Sequence, residues 1–134
     1  MESPENEAIL PAFEKGNIPV VLAADNKYVP YVTTLLRSII DNANQEKNYD
    51  FVILNSNISD LNKEKIKREF VQSTNMSIRF ANVKRLFAKY DLYVHRHFTV
   101  EIYYRLFMQD IMKHYDKVIY LDSDIIMLDD VSKL

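Results

Sequence analysis

There is no cysteine among the 134 residues. That excludes a disulfide framework, a thiolate metal site and a thiol nucleophile. Gly16 is the single glycine, so a G-x-G-x-x-G dinucleotide loop and a G-x-x-x-x-G-K-[ST] phosphate loop cannot be written. A G-x-S-x-G nucleophile elbow is excluded on the same ground. Histidines number three, which shifts any metal site towards oxygen ligands. No apolar run approaches the roughly 20 residues of a membrane span. The start, Met1-Glu2-Ser3-Pro4-Glu5, is acidic and lacks the apolar segment of a secretory signal. The net charge of −2 lacks the positive excess of a nucleic-acid binder.

What is present is the balance of a folded domain. Apolar residues make up 48% and charged residues 27%, too apolar for general disorder. The length suits one domain. Residues 1–17 read as a polar lead-in with a helical turn or two, Ser3 capping and Pro4 opening it. Ile18 to Ala24 is a continuous apolar run, a strand covered on both faces. Asp25 to Pro30 is turn chemistry. Val32, Leu35, Leu36, Ile39 and Ile40 then fall at helical spacing.

Tyr49 to Leu54 forms a second strand. Ser59 caps a second helix, with Leu61, Ile66 and Phe70 inward and Lys63, Lys65, Lys67 and Arg68 outward. Glu64 and Glu69 interrupt that basic run, so it is a solvated face. Met76 to Phe80 alternates, as an edge strand does. A short helix is expected around Val83 to Tyr90, and a longer one from Ile102 to about His114. Val118 to Leu121 is a fourth strand, followed by Asp122-Ser123-Asp124 and the apolar run Ile125 to Leu128.

Strands alternating with helices give an α/β fold with a mainly parallel sheet. In such sheets ligands bind beyond the carboxyl ends of strands where the strand order reverses. If the fourth strand lies beside the first, Asp25 to Tyr28 and Asp122 to Asp124 flank one crevice. Two carboxylates separated by one residue at a strand end can converge on a hard cation such as Mg²⁺ or Mn²⁺. The pattern alone is weak, since 11 aspartates in this length supply about one D-x-D by chance. Its weight comes from its place between a strand and an apolar segment. Asp25 can accept from a base edge and Tyr28 can stack on a base, or they serve as a helix cap and a packed ring. Arg105, in the apolar segment Ile102 to Phe107, needs an anionic or hydroxyl-rich partner unless it reaches solvent. His95-Arg96-His97 has no acidic neighbour and makes a poor metal pair.

Three segments together carry a resemblance. They are Ile18 to Tyr28, reading IPVVLAADNKY, then Tyr103-Tyr104-Arg105-Leu106, then Asp116 to Asp124, reading DKVIYLDSD. In order and spacing over roughly residues 17 to 134, the chain resembles glycosyltransferase family 8, the retaining enzymes that include lipopolysaccharide galactosyltransferases and glycogenin. The resemblance implies a GT-A fold, a Rossmann-like, mainly parallel sheet with flanking helices, cut here after the D-x-D strand. Residues 1–17 would be the lead-in and 18–134 the nucleotide-sugar-binding half of such a domain. It further implies transfer of a hexose, glucose or galactose, from a UDP-sugar to a hydroxyl on a saccharide or lipid-linked acceptor, with Mn²⁺ or Mg²⁺.

By the same resemblance Asp122 and Asp124 hold the metal, and Asp25 and Tyr28 hold the uracil. Ala23 and Ala24 line the base pocket through their backbone. Arg105 reaches the donor sugar as the catalytic candidate, Ser123 meets the ribose, and His97 meets the acceptor. Lys27 stands where the family commonly has Asn, and Ile102 where it often has Thr. The family's third metal ligand is a histidine in an H-x-x-G-x-x-K-P-W-like motif, which these 134 residues lack. The chain therefore reads as the amino-terminal half of such an enzyme. The alternatives are a nucleotide-binding fragment without turnover and a homodimerising interaction module. The expected place is the bacterial cytoplasm, peripherally at the inner membrane face.

Overall fold

The computed structural model describes residues 8–84 and 100–134, without the side chains of residues 100–103, 105 and 106. Four parallel strands form one sheet: β1 (Asn17–Ala23), β2 (Asn48–Asn55), β3 (Met76–Asn82) and β4 (Ile119–Leu121), in the order β3-β2-β1-β4. The described residues also include the helices α1 (Val29–Asp41), α2 (Asp60–Phe70) and α3 (Val100–Ile111). A 3₁₀ turn, Asn26–Tyr28, sits between β1 and α1, and another, Val131–Lys133, follows β4.

Residues 18–23 of β1 and 51–54 of β2 are continuously apolar because both sheet faces are covered there. Val20 and Leu22 of β1, with Tyr49, Phe51 and Ile53 of β2, pack on Val32, Leu35, Leu36 and Ile39 of α1 and on Ile66 and Phe70 of α2. Val21, Val52 and Leu54 point the other way, onto Tyr104, Phe107 and Ile111 of α3. The result is a three-layer α/β sandwich. From β1 the chain builds outward through β2 to β3, then returns to the far side of β1 with β4. The strand order thus reverses between β1 and β4.

The helical turn expected at Ser3 and Pro4 falls outside the described residues; residues 8–16 form no helix, and side chains elsewhere claim their backbone groups. The Ala12 N–H donates to Asp50 Oδ2 at 3.0 Å, and Phe13 exchanges bonds with the Asn17 carboxamide at 2.9 and 2.8 Å. Gly16 closes this stretch with a positive φ of 69°. Leu61 does not point inward: it is 65% exposed, whereas Ile66 and Phe70 are buried. The last helix starts and ends earlier than expected, at Val100 and Ile111. The helix expected around Val83 to Tyr90 lies, beyond Lys84, outside the described residues, as does His95-Arg96-His97.

Candidate functional site

The carboxyl ends of β1 and β4 open into a cleft of about 440 Å³ lined by Ala23, Ala24, Asp25, Tyr28, Ser56, Asn57, Tyr104, Tyr120, Asp122, Ser123 and Asp124. It lies at the reversal of strand order, where open parallel sheets place their ligands. Parallel pairing of Leu22 with Leu121 brings the two strand ends level. Both polar clusters therefore emerge side by side.

Asp122-Ser123-Asp124 continues the alternation of β4. Ser123 turns inward and is 8% exposed, while both aspartates are exposed. The Ser123 hydroxyl donates to the Ala23 carbonyl at 2.6 Å, joining the end of β4 to the end of β1. Asp122 and Asp124 thus stand on a fixed backbone. Their oxygen donors suit a hard divalent cation. Among the described residues no group of three or more His, Cys, Asp or Glu side chains is placed to hold a metal, so the pair fits part of a coordination shell.

Asp25 is the N-cap of the Asn26–Tyr28 turn. Its Oδ1 accepts from the N–H groups of Lys27 at 2.9 Å and Tyr28 at 3.0 Å. The capping role and a ligand role coexist, since a carboxylate offers about four acceptor sites and the cap uses one oxygen. Tyr28 is 44% exposed, with its ring centroid 5.5 Å from that of Tyr31. It presents an open aromatic face at the cleft rim. Ala24 is buried, and its N–H donates to the Leu54 carbonyl at 3.0 Å. The Ala23 carbonyl and the Ala24 N–H are therefore spent on the sheet, which narrows what the alanine backbone can offer a ligand.

Arg105 lies on α3 beside Tyr104, a cleft-lining residue, but its side chain is outside the described atoms. His97 lies outside the described residues altogether.

Four lining residues escaped the sequence reading: Ser56, Asn57, Tyr104 and Tyr120. Ser56 and Asn57 directly follow β2, so the strand-end rule applied to a third strand would have found them. Tyr104 belongs to the Tyr103-Tyr104-Arg105-Leu106 segment but is legible only as a buried helix residue, at 5% exposure. Its hydroxyl donates to Ser56 Oγ at 3.4 Å. Tyr120 needs the β1–β4 register, which pairs it with Val21.

The model of glycosyl transferase family 8 matches residues 19–134. Glycosyltransferase GlyF of Streptococcus pneumoniae serotype 4 is 33% identical over 116 residues, covering 86% of this chain and 27% of GlyF. The bifunctional glycosyltransferase WbbM, solved in its apo form, superposes with a TM-score of 0.82 at 34% identity, covering 94% of this chain and 22% of WbbM. The galactosyltransferase LgtC, solved with donor and acceptor sugar analogues, superposes with a TM-score of 0.64 at 26% identity, covering 87% of this chain and 41% of LgtC. The chain thus spans well under half the length of these relatives. With the family match running from the first strand through the D-x-D, and the parallel sheet superposing on GT-A enzymes, the chain belongs to glycosyltransferase family 8.

Proposed function

We propose that the chain carries the donor-binding part of a retaining glycosyltransferase that moves a hexose, glucose or galactose, from a UDP-sugar to a hydroxyl acceptor. The observation that carries this reading is the single cleft at the β1–β4 reversal. It gathers an exposed aromatic ring and a carboxylate on one side, and two carboxylates on the other. Asp25 accepts from the uracil edge and Tyr28 stacks on its face. Ser123 contacts the ribose through its remaining acceptor capacity. Arg105 orients the donor sugar, and His97 meets the acceptor. Asp122 and Asp124 would hold Mn²⁺ or Mg²⁺, which when bound offsets charge on the departing diphosphate. LgtC, solved with donor and acceptor sugar analogues, supports a donor site of this class. No helix among the described residues is long and apolar enough to cross a membrane.

The incomplete carboxylate shell among the described residues favours a second reading for the chain as it stands: it binds the nucleotide without turning over the donor. Both readings need a nucleotide site, and one experiment tests it. A ligand that binds only the folded state stabilises it, by about 2.7 kcal/mol at a hundredfold excess over Kd. A thermal titration with UDP should raise the melting temperature by several degrees when Mn²⁺ is present. The rise should vanish in Asp122→Asn. A cooperative melt unmoved by UDP and Mn²⁺ would sink the nucleotide site. Release of hexose from the donor by the chain itself would favour the first reading over the second.

A further inference from the structure

The Asn26–Tyr28 turn and its cap Asp25 carry both groups assigned to the base, yet the turn is only three residues long. The Asp25 cap fixes the turn internally. What fixes it against the rest of the molecule is a pair of asparagines. The Asn26 N–H donates to Asn57 Oδ1 at 3.0 Å. In return, Asn26 Oδ1 accepts from the Ser59 N–H at 3.1 Å and from Asn62 Nδ2 at 2.9 Å. Ser59 is itself the N-cap of α2. The turn is thereby clasped to the loop after β2 and to the first turn of α2.

Asn57 is the half of this clasp that lines the cleft. A backbone N–H can be met only by the carboxamide oxygen, so Asn57 is held with its oxygen towards Asn26. Asn57 is exposed, so its loss opens no core cavity. What it restrains is the position of Asp25 and Tyr28. A turn freed from it would have to be ordered again each time a ligand bound, and that ordering is charged to affinity.

Resting on the donor-site reading above, we infer that Asn57 is a positioning residue for nucleotide recognition. Its side-chain carbonyl sets the turn that reads the base, and so sets both the affinity for uridine diphosphate and the preference for it over other nucleoside diphosphates. The cation-binding carboxylates lie on β4's side of the cleft and are untouched by the clasp. The effect is therefore specific to the base.

The test is calorimetric titration of the chain with UDP and with ADP, each in saturating Mn²⁺, beside Asn57→Leu and Asn57→Asp. Asn57→Leu should weaken UDP binding roughly 3- to 10-fold, the value of one hydrogen bond. Its ADP affinity should stay level, so that the preference for UDP narrows by the same factor. Asn57→Asp keeps an acceptor oxygen and should restore UDP affinity to about that of the parent chain. Melting curves without ligand should superimpose. The inference is overturned if Asn57→Leu binds UDP as the parent does. It is also overturned if the variant loses UDP and ADP alike with a lowered melting temperature, which is the mark of a structural role. Equal losses in Leu and Asp variants would refute the acceptor. If the parent chain binds no UDP, the donor-site reading fails and takes this inference with it. A parent that binds and an Asn57→Leu that matches it removes the inference alone.

Discussion

The capping role of Asp25 and its proposed contact with the base can be separated. Serine is as good an N-cap as aspartate, whereas alanine costs about 1 kcal/mol. Asp25→Ser should therefore leave the denaturation midpoint in place and still weaken UDP binding, because the acceptor oxygen proposed to meet the base is gone. Asp25→Ala should lower both. Equal UDP binding by the parent and Asp25→Ser would confine Asp25 to capping. Ser123 offers a sharper stability test. Its 2.6 Å bond to the Ala23 carbonyl is part-buried, and removing the donor takes away a partner of that acceptor. Ser123→Ala should cost about 1–2 kcal/mol, read as a lower urea midpoint at unchanged slope. At this scale the sequence was informative for Asp122 and Asp124, because charges between two apolar segments have no packing reason to be there. It was silent on Asn57, whose meaning lies in a bond to a residue 31 positions away.

At the scale of elements, what was legible was periodicity and what was not was geometry at the ends. The strand β1 read as a continuous apolar run because it is buried on both faces, and β2 was found despite the charge of Asp50 within it. Helix α2 was found from Ser59 and its spacing, yet Leu61 was assigned to the wrong side. At 100° per residue, Ile66 and Phe70 lie about 40° apart, while Leu61 lies about 140° from Ile66. Leu61 sits in the first turn, facing solvent. Leu61→Glu should therefore change stability by no more than about 0.5 kcal/mol, with the acidic side chain favoured near a helix amino terminus. Ile66→Ala should cost about 2–4 kcal/mol, since that side chain is 1% exposed. Urea denaturation of the two variants checks the assignment, and similar losses would contradict it. Periodicity also misleads where long-range polar contacts decide. The apolar segment after the D-x-D has Met127 held by its backbone, its N–H donating to Ser38 Oγ at 2.9 Å and its carbonyl accepting from Asn42 Nδ2 at 3.2 Å. Its neighbours Ile126 and Leu128 are left exposed.

At the scale of the whole molecule, the reversal of strand order was reachable from the sequence, since both polar clusters only make sense together if β4 lies beside β1. The brace at the opposite end of the sheet was not. Asp50, fully buried in β2, accepts from Arg79 of β3 at 2.9 and 3.1 Å, from the Tyr115 hydroxyl after α3, and from the Ala12 N–H at 3.0 Å. Arg79 also donates to the Leu10 carbonyl at 2.7 Å. Two strands, the chain beyond α3 and the lead-in thus converge on one carboxylate, which no local pattern encodes. Removing Arg79 leaves that carboxylate short of its counter-charge. Arg79→Leu should cost about 2–4 kcal/mol, below the fully buried case because a third of the Arg79 side chain reaches solvent. Tyr115 adds a pH signature. Burial first, then the bond to and charge of Asp50, push its phenol above the ordinary value of 10.0. The folded chain therefore keeps this proton where the unfolded chain gives it up. The stabilisation is complete below about pH 10 and is lost as pH rises through the folded value. Tyr115→Phe should lower stability by about 1–2 kcal/mol at neutral pH and decline less steeply from about pH 9.5 to 11. Some slope should remain, because burial raises Tyr49 as well. Urea midpoints measured across that range decide it: parallel declines in the parent and Tyr115→Phe would show that the brace does not hold the phenol protonated.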